Sequence, residues 1–249
     1  MREPVLIGLC LPTGNLPGEI RDWVGRLMEM SENPDFPWEF EVDDVRRTSP
    51  VAYAENVLVG KFLAGSCDRI LLVPEDCRPY PTTHRVLELD ADVALSWTFI
   101  RTRTQQANTA WVEHNFFRAI DDQGYEFEPV PVDPETIPQA IDAGGMHCCA
   151  IRRRVFCQEM ELPREWTDNV GRPRLLSPDD KGFAVPYFRT EYRPDGAVGR
   201  TDDFDFCWRA KQAGFSVAGH PLAWSGHVKT DDIGAFVSMA GVMLRRAGQ

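Results

Sequence analysis

Four short stretches of this chain carry residues that could do chemistry. Thr201-Asp202-Asp203-Phe204-Asp205-Phe206-Cys207 sets two adjacent carboxylates at the start of an amphipathic segment that Gly214 closes. Acids in a first helical turn complement the helix dipole, which accounts well for one of them. A carboxylate held rigidly there can also accept a proton from a substrate. Glu75-Asp76 follows the apolar run 69–73. Such a pair is either a solvated turn or a place for a hard divalent cation that neutralises a diphosphate. Gly226-His227 follows a short apolar segment. Its imidazole is either a partly buried structural group or a ligand suited to Mn²⁺. Gly144-Gly145 leads into His147 and the buried run 146–151. Glycines let backbone approach a ligand closely, and they also serve as an ordinary turn before a strand.

The elements that must position these residues are legible from periodicity. Residues 5–11 form a nearly continuous apolar run, as a buried parallel strand should. Pro12-Thr13-Gly14 breaks it, and Ile20, Trp23, Val24, Leu27 and Met28 then recur at helical spacing. Residues 38–42 alternate with period two. Ser49-Pro50 starts a helix that runs to about residue 64 and stops at Gly65. Strands are expected at 69–73 and 92–98, with a short helix at 81–89 between them. From 101 to 138 the pattern weakens. Residues 162–195 carry few regular signals, and a long irregular stretch of that kind is usually functional or mobile. A final amphipathic helix is expected at 231–246, packing back on the domain or forming a homodimer contact. The βαβα opening predicts an α/β fold, a mostly parallel central sheet flanked by helices. Ligands of such sheets bind beyond the carboxyl ends of the strands. Pro12-Thr13, Glu75-Asp76 and the loop after Ile151 are all expected there.

The motifs together resemble the GT-A glycosyltransferases, over roughly residues 5–227. Asp76 matches the last Asp of that family's Asp-any-Asp motif, with Pro74 and Glu75 in its first two places. Asp203, followed by Phe206-Cys207, matches the Asp of a Glu-Asp-any-any-Phe-Cys pattern in which Asp202 replaces Glu. Pro186-Tyr187-Phe188 resembles a Pro-Trp-Phe segment whose aromatics can stack on a sugar. Ala54-Glu55-Asn56 stands where relatives often carry Arg-Asn, a reversal of charge. The pattern looks most like compact glycosyltransferases of bacteriophages and bacteria.

The resemblance implies a single GT-A (Rossmann-like) domain over 1–229. It has a nucleotide-binding half, 1–98, and an acceptor-side half, 99–229, with the C-terminal amphipathic helix at 230–249. It implies Asp203 as general base, with Asp202 orienting the acceptor or holding the local backbone. Asp76 and His227, with Glu75 as a direct or water-mediated ligand, would hold Mn²⁺ or Mg²⁺. Pro12, Thr13, Glu75, Gly144 and Gly145 would line the site of a nucleoside-diphosphate sugar, with His147 as a further candidate. The acceptor would be a hydroxyl on a glycan, a protein or a modified DNA base.

Composition bounds these readings. A net charge of −11 argues against a surface that grips nucleic acid everywhere, though Arg46-Arg47 and Arg152-Arg153-Arg154 are candidate local patches. No apolar run is long enough to span a bilayer. Residues 1–4 run directly into a strand without a signal-peptide pattern, and the seven cysteines show no paired metal spacing. Reduced thiols and a cytoplasmic location are therefore expected. Two further functions compete with simple glycosyl transfer. One is a phage enzyme that glycosylates hydroxymethylated pyrimidines in DNA, which needs a basic groove beside the acceptor site. The other is a catalytically degenerate nucleotide- or glycan-binding protein. A nucleotidyltransferase is disfavoured, because residues 11–17 lack the basic residues of a phosphate loop.

Overall fold

The computed structural model describes residues 2–48, 51–103, 110–157, 165–167, 173–175 and 187–227. The helix expected at 231–246 and Pro186 lie outside them. The chain opens with β1 (Glu3–Leu11), α1 (Gly18–Ser31), β2 (Trp38–Arg46), α2 (Val51–Ala64) and β3 (Arg69–Pro74). After the short β4 (Cys77–Pro79), a 3₁₀ helix at Thr83–Glu88 leads to β5 (Val93–Trp97). Two small pairs follow, β6 (Phe99–Arg103) with β7 (Ala110–His114), and β8 (Phe116–Ala119) with β9 (Phe127–Pro129). Then come β10 (Gln139–Ala140), β11 (Ala143–Gly144), β12 (Cys149–Arg152) and the single turn α3 (Arg153–Cys157). β13 (Glu165–Thr167) pairs with β14 (Pro173–Leu175), and β15 (Glu191–Tyr192) with β16 (Val198–Arg200). The described chain ends with α4 (Asp202–Gln212) and the long β17 (Val217–His227).

The central sheet has eight strands in the order β10-β17-β5-β12-β3-β1-β2, with β4 joined to β17. β2, β1, β3, β5 and β17 run one way. Strands from 1–98 and from 99–229 interleave in it. Alternation along β1 sends Val5, Ile7, Leu9 and Leu11 to one face, where α1 lays Ile20, Trp23 and Leu27. Leu6 and Cys10 face the other way, where α2 supplies Ala54, Leu58 and Phe62, and α4 supplies Phe206, Cys207 and Ala210. The domain is thus three layers with a core on each side of the sheet.

One expectation is corrected by strand direction. β12 runs antiparallel between β3 and β5, pairing Cys149 with Leu72 and Arg152 with Arg69. The loop after Ile151 therefore lies at the amino end of the parallel strands, away from Glu75-Asp76. The start of β12, and His147 just before it, lies at their carboxyl end instead. Arg152, Arg153 and Arg154 are at the far end and are occupied. Arg152 binds Asp90, Arg154 binds Asp92, and Arg153 caps α2 through the carbonyls of Phe62, Leu63, Gly65 and Cys67.

Candidate metal and catalytic site

Two strand ends meet at Asp76. β17 pairs with β5 from Val217 to His220. Three extra residues then shift its register before Trp224, and its last residues turn to pair with β4. In that pairing His227 lies opposite Cys77, the residue after Asp76. His227 Nε2 is 3.0 Å from Asp76 Oδ2. The His147 ring lies against that of His227, with centroids 4.1 Å apart and planes at 33°. One donor atom from each of Asp76, His147 and His227 falls within 4.8 Å of the others. Burial pushes the Asp76 carboxyl up, but the His227 hydrogen bond and the charges of both histidines outweigh it, so the pKa lies below the ordinary carboxylate value. One carboxylate and two imidazoles converging at partly buried positions form a donor set that fits a divalent first-row cation such as Mn²⁺.

Backbone anchors fix His147. The fully buried Asn115 donates from Nδ2 to the carbonyls of Gly145 and Ser96, at 2.8 and 2.9 Å, and its Oδ1 accepts from Thr98 N. The Cys148 carbonyl accepts from Ser96 N at 2.9 Å. His147 therefore sits between two pinned peptide groups. Gly144 needs to be glycine, because a Cβ there would lie 2.3 Å from the Asn115 carbonyl oxygen. Gly145 faces the site. A Cβ there would lie 3.4 Å from His147 Nε2 and 3.6 Å from Asp203 Oδ2.

Asp203 comes from the first turn of α4. Thr201 precedes that helix in extended conformation and donates its hydroxyl to Asp203 Oδ1, which also accepts from Phe204 N at 2.8 Å. Burial, then the charge of Asp202, raises the Asp203 carboxyl to about 6, against the lowering effect of these two donors. Asp202 is raised by burial and by Asp205, while backbone amides pull it down. Gly214, at φ 86°, ends the helix, with Phe215 N bonded to Ala210 O.

Asp205, the third acid of this turn, is structural. It is fully buried and accepts from the Nε atoms of Arg189, Arg200 and Arg209 at 3.2, 3.0 and 2.7 Å. Tyr187 and Phe188 are core as well, and not a sugar platform. Tyr187 donates to the Phe156 carbonyl, and Phe188 stacks on Phe206 with centroids 4.5 Å apart. The Asn56 side chain clamps the backbone of Phe188 from both sides, donating to its carbonyl and accepting from its amide. α2 and α4 are thereby locked together.

The structure brings Asp76, His227, Asp202, Asp203, Gly144 and Gly145 to one region and adds His147 to the metal group. It does not bring Glu75 into that group. Glu75 accepts from the Thr13 amide and hydroxyl, both at 2.9 Å, and so ties the Pro12-Thr13 loop to the end of β3. Sequence reasoning missed Asn115, which lies in the weakly patterned stretch and carries no local signal. It marked Glu55 only as a reversed charge, although this side chain is 5% exposed and lies close enough to feel Asp202, Asp203 and Asp76.

No protein-family model matches the chain, and no curated protein matches it. Among solved structures it is similar to A197 from STIV, at 13% identity and TM-score 0.42, over 88% of this chain and 81% of that one. It is similar to GalNAc-T7 with UDP, GalNAc and Mn²⁺, at 12% identity and TM-score 0.41, over 92% of this chain and 44% of that one. The inositol-1-phosphate CTP transferase from T. maritima aligns at 9% identity and TM-score 0.42, over 96% and 95%.

Proposed function

We propose that this chain is a metal-assisted glycosyltransferase that moves a sugar from a nucleoside-diphosphate sugar to a hydroxyl acceptor. The observation that carries the reading is the gap at Gly145. A single methyl group there would touch both the Asp76–His147–His227 group and Asp203. A cation held by Asp76, His147 and His227 would supply charge neutralisation for a diphosphate. Asp203 stands on the other side of the gap, where an acceptor hydroxyl would approach. Its carboxylate takes the hydroxyl proton as the acceptor oxygen bonds to the anomeric carbon. The bond from that carbon to the diphosphate oxygen breaks, and its electron pair leaves with the diphosphate. A pKa of about 6 suits this task, since the base is mostly ionised at neutral pH and still basic enough to take a proton.

Glu75 serves the donor side indirectly in this reading, by holding the Pro12-Thr13 loop. The Arg152–Arg154 patch does not serve a DNA acceptor, because it lies at the opposite end of the sheet. The test is calorimetry with nucleoside diphosphates in Mn²⁺ and in EDTA, followed by donor-sugar hydrolysis as a readout that needs no known acceptor. Metal-dependent nucleotide binding that is lost in Asp76→Asn supports the reading. Equal affinity in Mn²⁺ and EDTA, for wild type and variant, overturns it.

A further inference from the structure

α2 crosses the face of the sheet on which β1 and β3 end, packing Ala52, Ala54 and Leu58 with Cys10, Leu72 and Cys149. The inner face of α4 joins the same cluster. Glu55 lies in this seam, between the carboxyl ends of the strands and the start of α4. It is 5% exposed and makes no hydrogen bond among the described residues. The Asn56 clamp on Phe188 fixes the rotation of α2, so Glu55 cannot swing to solvent without breaking it.

The carboxylate oxygens of Glu55 are not among the fully buried unpartnered atoms, so they keep an opening through which a polar ligand group can bond them. Its charged neighbours are informative. Burial raises the Glu55 carboxyl far above its ordinary value, and Asp202, Asp203 and Asp76 raise it further. The first two belong to the acceptor side of the site and the third to the diphosphate side. The ligand part that spans those two sides is the sugar being transferred.

We propose that Glu55 is a specificity-determining residue that hydrogen-bonds a hydroxyl of the transferred sugar. This rests on the glycosyltransferase reading. The carboxyl both donates and accepts, so it suits a hydroxyl, whereas a carboxylated sugar would meet the negative field of Asp202 and Asp203. A site built around a buried hydrogen-bonding group rejects ligands that leave it unpaired far more strongly than an apolar pocket rejects a misfit.

The test compares UDP, dTDP, GDP, CDP and ADP with their glucosyl esters, and UDP-galactose and UDP-N-acetylglucosamine with UDP, by calorimetry in Mn²⁺. The proteins are wild type, Glu55→Gln and Glu55→Leu, with melting temperatures measured in parallel. Glu55→Leu should bind the parent diphosphate as wild type does, bind its glycosyl ester about tenfold or more weakly, and melt higher. Glu55→Gln, which keeps an acceptor and a donor, should retain most of the affinity. A merely structural role predicts no selective loss for the glycosyl ester. An unchanged ratio of ester to diphosphate affinity in Glu55→Leu overturns the proposal, as does a wild type that distinguishes no ester from its parent. If no diphosphate binds in a metal-dependent way, the glycosyltransferase reading itself fails and takes this proposal with it.

Discussion

Asp203 and Gly145 carry the sharpest expectations at the scale of single residues. Asp203→Asn should lose about 10²–10⁴-fold in turnover while keeping donor affinity, because a positioned base acts on the acceptor proton alone. Wild-type turnover should rise with pH through about 6 and then level off, measured as a pH–rate profile. The same group has a stability signature. Its folded pKa is raised, so its contribution is fully present below the ordinary carboxylate value and is lost as pH rises through about 6. Asp203→Asn should therefore melt above wild type at pH 7.5 and close to it near pH 4. The two glycines separate fold from site. Gly144→Ala forces a Cβ onto the Asn115 carbonyl oxygen at 2.3 Å and should unfold at clearly lower denaturant. Gly145→Ala meets its neighbours at 3.4 Å or more, so it should fold and yet lose donor-sugar binding. Sequence made Asp76 and His227 legible because each follows an apolar run. It could not choose between Glu75 and Asp76, since the two stand side by side in the turn between β3 and β4, and only the fold shows that Glu75 bonds Thr13 and Asp76 bonds His227.

At the scale of elements, α4 divides its acids between two jobs. Asp203 faces Gly145 with Asp202 beside it, while Asp205 turns inward to hold Arg189, Arg200 and Arg209. Removing a partner from a buried ion network leaves uncompensated charge, which typically costs about 3–5 kcal/mol. Asp205→Ala should accordingly lower the midpoint of urea unfolding much more than Asp202→Ala does, though the two lie in the same turn. The helices and the parallel strands were readable because their periodicity is local. The direction of β12 was not, since a short apolar run looks the same in either direction and only its pairing partners decide. That reversal put the loop after Ile151 at the wrong end and brought His147 to the right one. The roles of Tyr187 and Phe188 were unreadable for a similar reason, because an aromatic near a cleft and an aromatic under it share one local pattern.

Over the whole molecule, a net charge of −11 is concentrated in places with separate consequences. The edge strand β2 carries Glu39 and Glu41 outward, exposed, which discourages pairing with a second sheet. The charges of Asp76, Asp202 and Asp203 all bear on the buried Glu55 carboxyl, and a bound cation would offset them. Mn²⁺ at one hundred times its dissociation constant should stabilise the protein by about 2.7 kcal/mol. The rise in melting temperature should vanish in Asp76→Asn and persist in Glu75→Gln. Among the described residues no helix is long and apolar enough to cross a membrane.

The contact between Asp76 and His227 joins positions 151 residues apart, and it forms through the last turns of β17 onto β4. Loop closure over that distance should come late, after the local helices and the β1–β3 ladder. On the proposed reading, a nascent chain that still lacks β17 would not yet have the site for the cation. Cation capture would therefore report the docking of β17 onto β4. In stopped-flow experiments Mn²⁺ should slow unfolding and leave the refolding rate nearly unchanged, as for any interaction absent from the transition state.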